Sequence, residues 1–182
     1  MNKKLLKDQL ANLNIKTPRG IYVEDWGDNE DREETVAGVV ATISKKLSPP
    51  WNIEPISKGL GNGGIIAKTR DELTTILSQM FELKTPTLIE EVVLGKEVSV
   101  STVSDFRGES QYTFLPTQLD NFHAKLHPKE SESLQKLAKG IHKNMHLGHY
   151  SRVEAVISPK GNIYVKNIET IPVLHKESDF NV

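Results

Sequence analysis

The sequence predicts an α+β fold in which helices alternate with mostly antiparallel strands. Apolar residues recur at helical spacing in three segments, residues 33–47, 71–81 and 130–145. Runs rich in β-branched residues lie between them, and two such runs flank residues 158–162, where Ser, Pro, Gly and Asn favour a hairpin turn. A chain of 182 residues is long enough for one domain with a sizeable core or for two small lobes.

The composition narrows the class of protein. Hydrophobic residues make up 37% of the chain, charged residues 26%, and the net charge of −1 gives no electrostatic footprint for nucleic acid or a membrane surface. The absence of cysteine excludes disulfides and thiolate chemistry. No apolar run approaches the ~20 residues of a membrane span, and the N-terminus lacks the apolar region of a signal peptide. We therefore expect a cytoplasmic protein that binds neither nucleic acid nor membranes.

The first third of the chain is divided by prolines and glycines. Leucines at helical spacing predict a helix over residues 3–13, and a strand over residues 20–23 follows. The helical stripe of residues 33–47 ends at two prolines. Short strands are then predicted over residues 51–55 and 65–67, on either side of a glycine-rich loop.

The remaining elements follow the same alternation. A helix over residues 71–81 has Thr69 or Asp71 as its N-cap. The elements predicted after it are strands over residues 87–93, 95–101 and 111–115, a helix over residues 130–145 and the C-terminal hairpin. We expect His142, His146 and His149 to lie on a polar surface and turn, with Gly148 as the C-cap of the last helix.

The hairpin carries the most informative polar residues. Because residues of equal parity share one face of a strand, Arg152 and Glu154 point together, and so do Asn167 and Glu169. All four share a face if the register places Glu154 opposite Asn167, whereas a slip of one residue puts the two pairs on opposite faces.

This set of side chains allows two interpretations. Two carboxylates and an amide oxygen suit Mg²⁺, which takes oxygen ligands, and Arg152 beside them could hold a phosphate or a developing oxyanion. The alternative is a solvated sheet face with cross-strand ion pairs.

The same stretch resembles the C-terminal signature of the D-alanine–D-alanine ligase family of ATP-grasp enzymes. That family reads Arg-Val-Asp, a short hairpin, then Glu-x-Asn-Thr-x-Pro-Gly and a later serine. Arg152, the following residues and Ser178 are in step with it. The ligand identities differ, because Glu154 replaces the aspartate and the second-strand pair is exchanged as Asn167 and Glu169. A valine replaces the glycine after the proline.

The glycine-rich loop resembles the family's phosphate-covering loop. Dense glycine lets backbone N–H groups turn toward a phosphate, although many hairpins also contain Asn-Gly-Gly. By resemblance, Gly59, Gly61 and Gly63 would contact the nucleotide. Glu54 stands where the family has a lysine, and we expect this carboxylate to weaken ATP binding because phosphate favours positive partners.

Further matches assign residues to the nucleotide. Lys3 and Lys125 would hold phosphates by this resemblance, whereas the residues alone favour a basic surface helix for Lys3 and leave a solvated loop lysine as the alternative for Lys125. Glu90 and Val93 match the hinge whose backbone reads adenine, and Glu97 matches the glutamate that takes the ribose hydroxyls. The apolar residues around that hinge are also typical of any buried strand.

The resemblance implies an ATP-grasp fold of two lobes that clasp a nucleotide. After a lead-in helix over residues 1–18, we expect a smaller lobe over residues 19–91 and a larger lobe over residues 92–182 with the metal and phosphate hairpin. The chain starts where the family's N-terminal domain would have ended. We therefore expect that a partner chain supplies that domain or that the protein forms a homo-oligomer.

The implied activity is that of an ATP- and Mg²⁺-dependent carboxylate–amine ligase acting on a small amino acid such as D-alanine, in peptidoglycan biosynthesis. Glu154, Asn167 and Glu169 would hold Mg²⁺, and the catalytic group would be Arg152 with Lys125 and Ser178, the last on the acceptor carboxylate. The changed residues leave two alternatives: a non-catalytic relative that binds a nucleotide or a partner, and a degenerate fragment with a structural role.

Overall fold

A computed structural model describes residues 3–27, 31–56, 64–119 and 126–170. Four helices occur in this part of the chain: α1 (Lys3–Asn12), α2 (Arg32–Lys46), α3 (Arg70–Glu82) and α4 (Pro128–Asn144). Its nine strands are β1 (Gly20–Val23), β2 (Trp51–Pro55), β3 (Ile65–Ala67), β4 (Thr87–Glu91), β5 (Lys96–Phe106), β6 (Glu109–Thr113), β7 (Thr117–Gln118), β8 (Tyr150–Ile157) and β9 (Ile163–Glu169).

The strands form two sheets, and the chain divides into two compact units. The first unit comprises residues 1–8 and 18–92, and its sheet has the strand order β1-β4-β2-β3. The second unit comprises residues 9–17 and 93–182, and its sheet has the order β6-β5-β8-β9, with β7 also paired to β5. All strand pairs in the described residues are antiparallel, so the predicted α+β fold is confirmed.

The core of the first unit lies between its sheet and the helices α2 and α3. Ile53 and Ile89 from the sheet and Ile43 from α2 are fully buried in this cluster, and each such side chain contributes about 1.5–3 kcal/mol of hydrophobic stabilisation. Of the two N-cap candidates that the sequence offers for α3, Thr69 is the N-cap in the structure. Its hydroxyl accepts a hydrogen bond from a backbone N–H of the first turn. Asp31 caps α2 in the same way.

In the second unit α4 packs against β5, β6 and β8. Its inward stripe includes Leu134, Ala138 and Ile141, as the spacing predicts. The predicted surface position of His142 is wrong, because this residue is only 2% exposed. His142 continues the stripe of Leu134 and Ala138 at intervals of four residues, and it is therefore directed into the core.

Hydrogen bonds explain why this polar ring tolerates burial. The Ser104 hydroxyl donates its one proton to the Gly148 carbonyl at 2.8 Å, so it accepts from Nε2–H of His142 at 3.0 Å. Nδ1 of the ring then accepts from the Ser151 hydroxyl at 2.8 Å. Burial lowers the pKa of His142 below its ordinary value, which favours this neutral form.

Two further details differ from the sequence predictions. The C-cap of α4 is Met145 rather than Gly148, and Gly148 has a positive φ of 75° in the turn that follows. The strand predicted over residues 111–115 begins and ends two residues earlier, as β6.

In the part of the chain that the structure describes, no helix is long and apolar enough to cross a bilayer.

Candidate functional site

The register of the β8–β9 hairpin brings the four predicted polar residues to one face. Glu154 lies opposite Asn167, and Arg152 lies opposite Glu169. Directly opposed residues of an antiparallel pair point to the same side of a sheet. The register that unites the four side chains is therefore confirmed. We call the surface formed by these four residues and by Ser99 and Ser101 of the adjacent strand β5 the hairpin face.

A β-bulge next to the site makes this arrangement compatible with a buried core. The register shifts after Glu154, so that Ala155 pairs with Val165 and Lys166 is the extra residue. Strict alternation would place Val165 on the same side as Asn167. The bulge instead turns Val165 into the core, where it is 1% exposed, while Asn167 keeps its place on the hairpin face.

The hairpin face consists of two rows of directly opposed side chains, each running from β5 through β8 to β9 and each containing one carboxylate. In the first row Ser99 of β5 lies opposite Glu154, which in turn lies opposite Asn167. The Asn167 Nδ2 group donates a long hydrogen bond of 3.4 Å to Glu154 Oε2. Ser99 is completely buried, and its hydroxyl has no hydrogen-bond partner within the described residues.

The second row holds the arginine. Ser101 lies opposite Arg152, which lies opposite Glu169. The Ser101 and Tyr150 hydroxyls are 3.5 Å apart. The Arg152 Nε atom is buried and has no hydrogen-bond partner within the described residues. An unpaired guanidinium N–H on a polar face is suited to an anionic ligand oxygen.

The carboxylates of the two rows influence each other. Burial, and then the charge of Glu154, raise the pKa of Glu169 above its ordinary value, whereas Arg152 opposes that rise. A cation placed between these carboxylates would relieve their repulsion.

The oxygen donors fit a hard divalent cation in part. Glu154 and Glu169 supply two carboxylates and Asn167 an amide oxygen, which is a set that suits Mg²⁺ when water or phosphate completes the coordination. No group of three or more His, Asp or Glu side chains that could hold a metal occurs in residues 3–27, 31–56, 64–119 and 126–170. A cation on the hairpin face would therefore need further ligand oxygens beyond those of Glu154, Asn167 and Glu169.

The first unit has a polar face of its own, which we call the lysine face after Lys3 and Lys7 of α1. Lys3 Nζ lies 2.5 Å from Glu54 Oε1, an ion pair by distance that lacks hydrogen-bond geometry. Lys7 pairs with Glu90 of β4 and also donates to the Pro18 carbonyl at 2.6 Å. Lys3, which the family resemblance directs toward the nucleotide phosphates, is therefore paired with a carboxylate of its own unit, and Lys7 of the same helix is paired in the same way.

Burial is high on the lysine face. The side chains of Glu54 and Glu90 are only 10% and 11% exposed. Burial raises the pKa of Glu90 above its ordinary value, and the adjacent Lys7 opposes this rise. Tyr22 has a buried hydroxyl with no partner within the described residues, and burial followed by the charge of Glu90 raises its pKa to about 12.

The other residues that the sequence predicts to bind the nucleotide belong to neither the lysine face nor the hairpin face as defined above. Glu97 of β5 accepts a hydrogen bond from Lys166 Nζ at 2.8 Å, and both side chains are exposed. Val93 follows β4 and is half-buried. The predicted nucleotide and catalytic residues Gly59, Gly61, Gly63, Lys125 and Ser178 lie outside the described residues.

The sequence interpretation missed Ser99 and Ser101. A signal for them existed, because β5 alternates apolar Val98 and Val100 with these serines. The valines face the core and are buried, so the serines take the opposite side of the strand. Only the pairing of β5 with β8 brings them beside Glu154 and Arg152.

Comparison with known proteins identifies similar chains. No protein-family model matches the sequence. The D-alanine–D-alanine ligase of Geobacillus thermodenitrificans is 21% identical over an alignment of 189 positions, gaps included, which covers 94% of this chain and 50% of that protein. The ligase of the same name from Maridesulfovibrio salexigens is 29% identical over 144 residues, which cover 69% of this chain and 46% of that protein.

Solved structures agree in fold. D-alanyl-alanine synthetase A from Vibrio cholerae superposes with a TM-score of 0.74 at 19% identity and covers 94% of this chain and 55% of its own. The Bacillus anthracis D-alanine–D-alanine ligase complexed with ATP gives a TM-score of 0.69 at 22% identity, covering 97% of this chain and 57% of its own. The ADP complex of purK, N5-carboxyaminoimidazole ribonucleotide synthetase, gives a TM-score of 0.74 at 17% identity. This superposition covers 94% of this chain and 45% of that one.

Four of these five likenesses extend over 94–97% of the chain and the other over 69%. The chain spans about half the length of the curated relatives that it matches. The identities are low, in keeping with the exchanged residues on the hairpin face. The chain is similar in sequence to D-alanine–D-alanine ligases, at low identity, and has the ATP-grasp fold.

Proposed function

We propose that this chain is the ATP-binding part of a carboxylate–amine ligase that acts on a small amino acid. The observation that supports this proposal best is the hairpin face, where Arg152 lies on the same side of one sheet as Glu154, Asn167 and Glu169. D-alanine is the proposed substrate because the relatives are named as ligases of D-alanine.

The proposed reaction has two steps. One substrate carboxylate attacks the γ-phosphate of ATP and forms an acyl phosphate, releasing ADP. The amine of the second substrate then attacks the acyl carbon, the carbon–oxygen bond to phosphate breaks, and the amine loses a proton as the amide forms. Arg152 would stabilise the negative charge that develops on the oxygen of the acyl group, and its buried Nε–H, which has no hydrogen-bond partner within the described residues, supports this role.

The remaining chain residues would bind and orient the nucleotide. Glu97 would accept hydrogen bonds from the ribose, and the backbone around Glu90 and Val93 would contact the adenine. Lys3 and Lys125 would neutralise phosphate charge, and Gly59, Gly61 and Gly63 would offer backbone N–H groups to it. Ser178 would bind the carboxylate of the acceptor. These roles are carried over from the family residue by residue.

Mg²⁺ would be held by Glu154, Asn167 and Glu169. When bound, the ion would offset phosphate charge and align the phosphate oxygens. For Asn167 to contribute its oxygen, the amide must turn the Nδ2 group away from the cation. That requirement is met by a rotation of the side-chain amide.

A second candidate function is a non-catalytic protein that binds a nucleotide or a partner. Two observations favour it. The lysine face is neutralised by Glu54 and Glu90, which compete with phosphate for the same ammonium groups. On the hairpin face, the exchange of ligands places Glu169 opposite Arg152, where a carboxylate competes with an oxyanion.

Calorimetric titration with ATP, with and without Mg²⁺, tests the proposal. We expect Mg²⁺-dependent binding that weakens at least tenfold in Glu169→Gln, since outer and inner ligands of metal sites typically contribute about tenfold or more. The matched control is Glu132→Gln, because this exposed carboxylate lies on α4 and, within the described residues, pairs only with Lys136. Absence of ATP binding at millimolar concentration would contradict the proposal.

An assay of ADP release with D-alanine separates the two candidates. The ligase predicts ADP release that depends on D-alanine and falls to background in Glu169→Gln. Mg²⁺-dependent ATP binding with no turnover above that variant would favour the non-catalytic relative.

A further inference from the structure

Ser99 is the one hydroxyl of the hairpin face that is both fully buried and without a hydrogen-bond partner within the described residues. Buried hydroxyls are nearly always paired, because burial removes the hydrogen bonds that water supplied. A buried hydroxyl with no partner therefore points to a partner that it acquires when the site is in use.

The strand register identifies that partner. Ser99 lies directly opposite Glu154, and opposed side chains of an antiparallel pair have Cβ atoms about 4.5–5.5 Å apart. Within the described residues, the only hydrogen bond that Glu154 receives is the 3.4 Å contact from Asn167 Nδ2. An ionised carboxylate only accepts hydrogen bonds, so it has room for a closer donor.

The contact between Asn167 and Glu154 is incompatible with a role for both in binding a cation. While Nδ2 faces the carboxylate, it would also face the cation that the carboxylate binds. When the amide turns its oxygen toward the cation, Glu154 loses this donor. The Ser99 hydroxyl is then the side chain placed to replace it.

We propose that Ser99 is a positioning residue, whose hydroxyl donates to Glu154 and holds that carboxylate in the orientation that binds a divalent cation. This inference rests on the cation site of the proposed function and extends it to a strand outside the hairpin. Ligands of metal sites are commonly oriented in this way by hydrogen bonds from groups that do not touch the metal.

The neighbouring Ser101 provides a matched control. It is also completely buried and lies on the same face of the same strand, two residues away. It differs because its hydroxyl lies 3.5 Å from that of Tyr150, and because it stands opposite Arg152, which has only donors to offer. Ser101 is therefore not placed to orient a carboxylate.

Titration with Mn²⁺, followed by the electron paramagnetic resonance signal of the free ion, tests the proposal without requiring activity. We expect Ser99→Ala to weaken Mn²⁺ binding about tenfold. Ser99→Thr, which keeps the hydroxyl and suits a strand, should bind within about threefold of the wild type. Ser101→Ala should leave Mn²⁺ affinity unchanged.

Thermal unfolding of the same variants distinguishes positioning from a structural role. Because the Ser99 hydroxyl has no partner to lose, Ser99→Ala should unfold at the wild-type temperature or above it. A clear fall in that temperature would assign the hydroxyl to the fold and overturn the inference.

The binding outcomes separate this inference from the proposed function. Wild-type Mn²⁺ affinity in Ser99→Ala, beside a loss in Glu154→Gln, would overturn the role of Ser99 and leave the cation site intact. Absence of Mn²⁺ binding by the wild-type protein would overturn the cation site itself, and the role of Ser99 with it.

Discussion

On the lysine face, Lys3 and Lys7 each lie against a carboxylate of their own unit, whereas on the hairpin face Arg152 Nε and the Ser99 hydroxyl are buried without partners within the described residues. Both faces are built from alternate residues of antiparallel strands. The lysine face is charge-balanced by its own side chains, although the Tyr22 hydroxyl and Glu54 Oε1 also lack hydrogen-bond partners within the described residues. The hairpin face differs because one of its unpaired groups is a cationic donor, the Arg152 Nε–H.

This difference separates stability from ligand binding. A buried ion pair whose charges satisfy each other fixes the position of α1 on the first sheet, and removal of one member leaves an uncompensated charge. Buried donors without partners cost the fold free energy, because burial removes their hydrogen bonds to water. We therefore expect substitutions on the lysine face to affect mainly stability, and substitutions on the hairpin face to affect mainly ligand binding.

The largest effect should come from breaking the pair on the lysine face. Glu90→Ala leaves the Lys7 ammonium buried against the sheet, and we expect a loss of about 3 kcal/mol in the free energy of unfolding. The double variant Lys7→Met/Glu90→Met should recover most of that loss, because no unpaired charge remains. Denaturant unfolding measures both.

The control for this prediction lies on the same helix. Lys4 pairs with Glu24 in an exposed position, and Glu24→Gln should not change the unfolding midpoint measurably. Equal losses in Glu24→Gln and Glu90→Ala would show that the two pairs are equivalent and would remove the contrast between the two faces.

A second prediction concerns the opposite face of the second sheet, where His142 is fully hydrogen-bonded. Its pKa is lower in the folded protein than the ordinary value of 6.5, so the neutral ring stabilises the fold above pH 6.5. That contribution is lost as the pH falls through the folded pKa. Protonation of Nδ1 removes its bond from Ser151, a loss of about 1 kcal/mol.

Thermal unfolding between about pH 7.5 and about pH 5 measures this effect. The wild type should lose more stability over that range than His142→Gln, which has no ring to protonate. Parallel pH profiles of the two proteins would contradict the neutral assignment of His142.

The smallest effect sharpens the comparison at Glu54. Glu54→Gln removes a carboxylate that competes with phosphate for the Lys3 ammonium group, so ATP affinity should improve about fivefold, a gain of about 1 kcal/mol. Calorimetry with ATP measures the change, and Glu24→Gln again serves as the control. Unchanged affinity in Glu54→Gln would indicate that Lys3 does not contact phosphate.

Sequence patterns predicted the elements of the hairpin but left its register open. The alternation of side chains along a strand placed Arg152 and Glu154 on one face of β8, and Asn167 and Glu169 on one face of β9. A shift of one residue between the two strands was compatible with that pattern too. The bulge at Lys166 decides which residues face the core, and it depends on how the two strands pair rather than on either strand alone. For that reason the pairing had to be observed.

Burial of polar residues was the second gap. A polar residue within a helical stripe is usually assigned to the surface, and His142 lies in the core because Ser104 and Ser151, distant in sequence, satisfy its ring. The ion pair of Lys7 and Glu90 joins residues 83 positions apart. Periodicity describes one element at a time, so it contains no information on such contacts.

The bulge also determines where this hairpin tolerates a change in length. Beyond it, the ladder runs from Ala155 and Val165 to Ile157 and Ile163, where the turn begins, and the β8 residues of this ladder also pair with β5. Residues inserted in pairs at the turn end of the ladder, one on each strand, would extend the ribbon past β5 and leave Glu154 opposite Asn167. A single residue inserted on the other side of the bulge would separate that pair, so the bulge marks the boundary between a variable tip and a stem of fixed spacing.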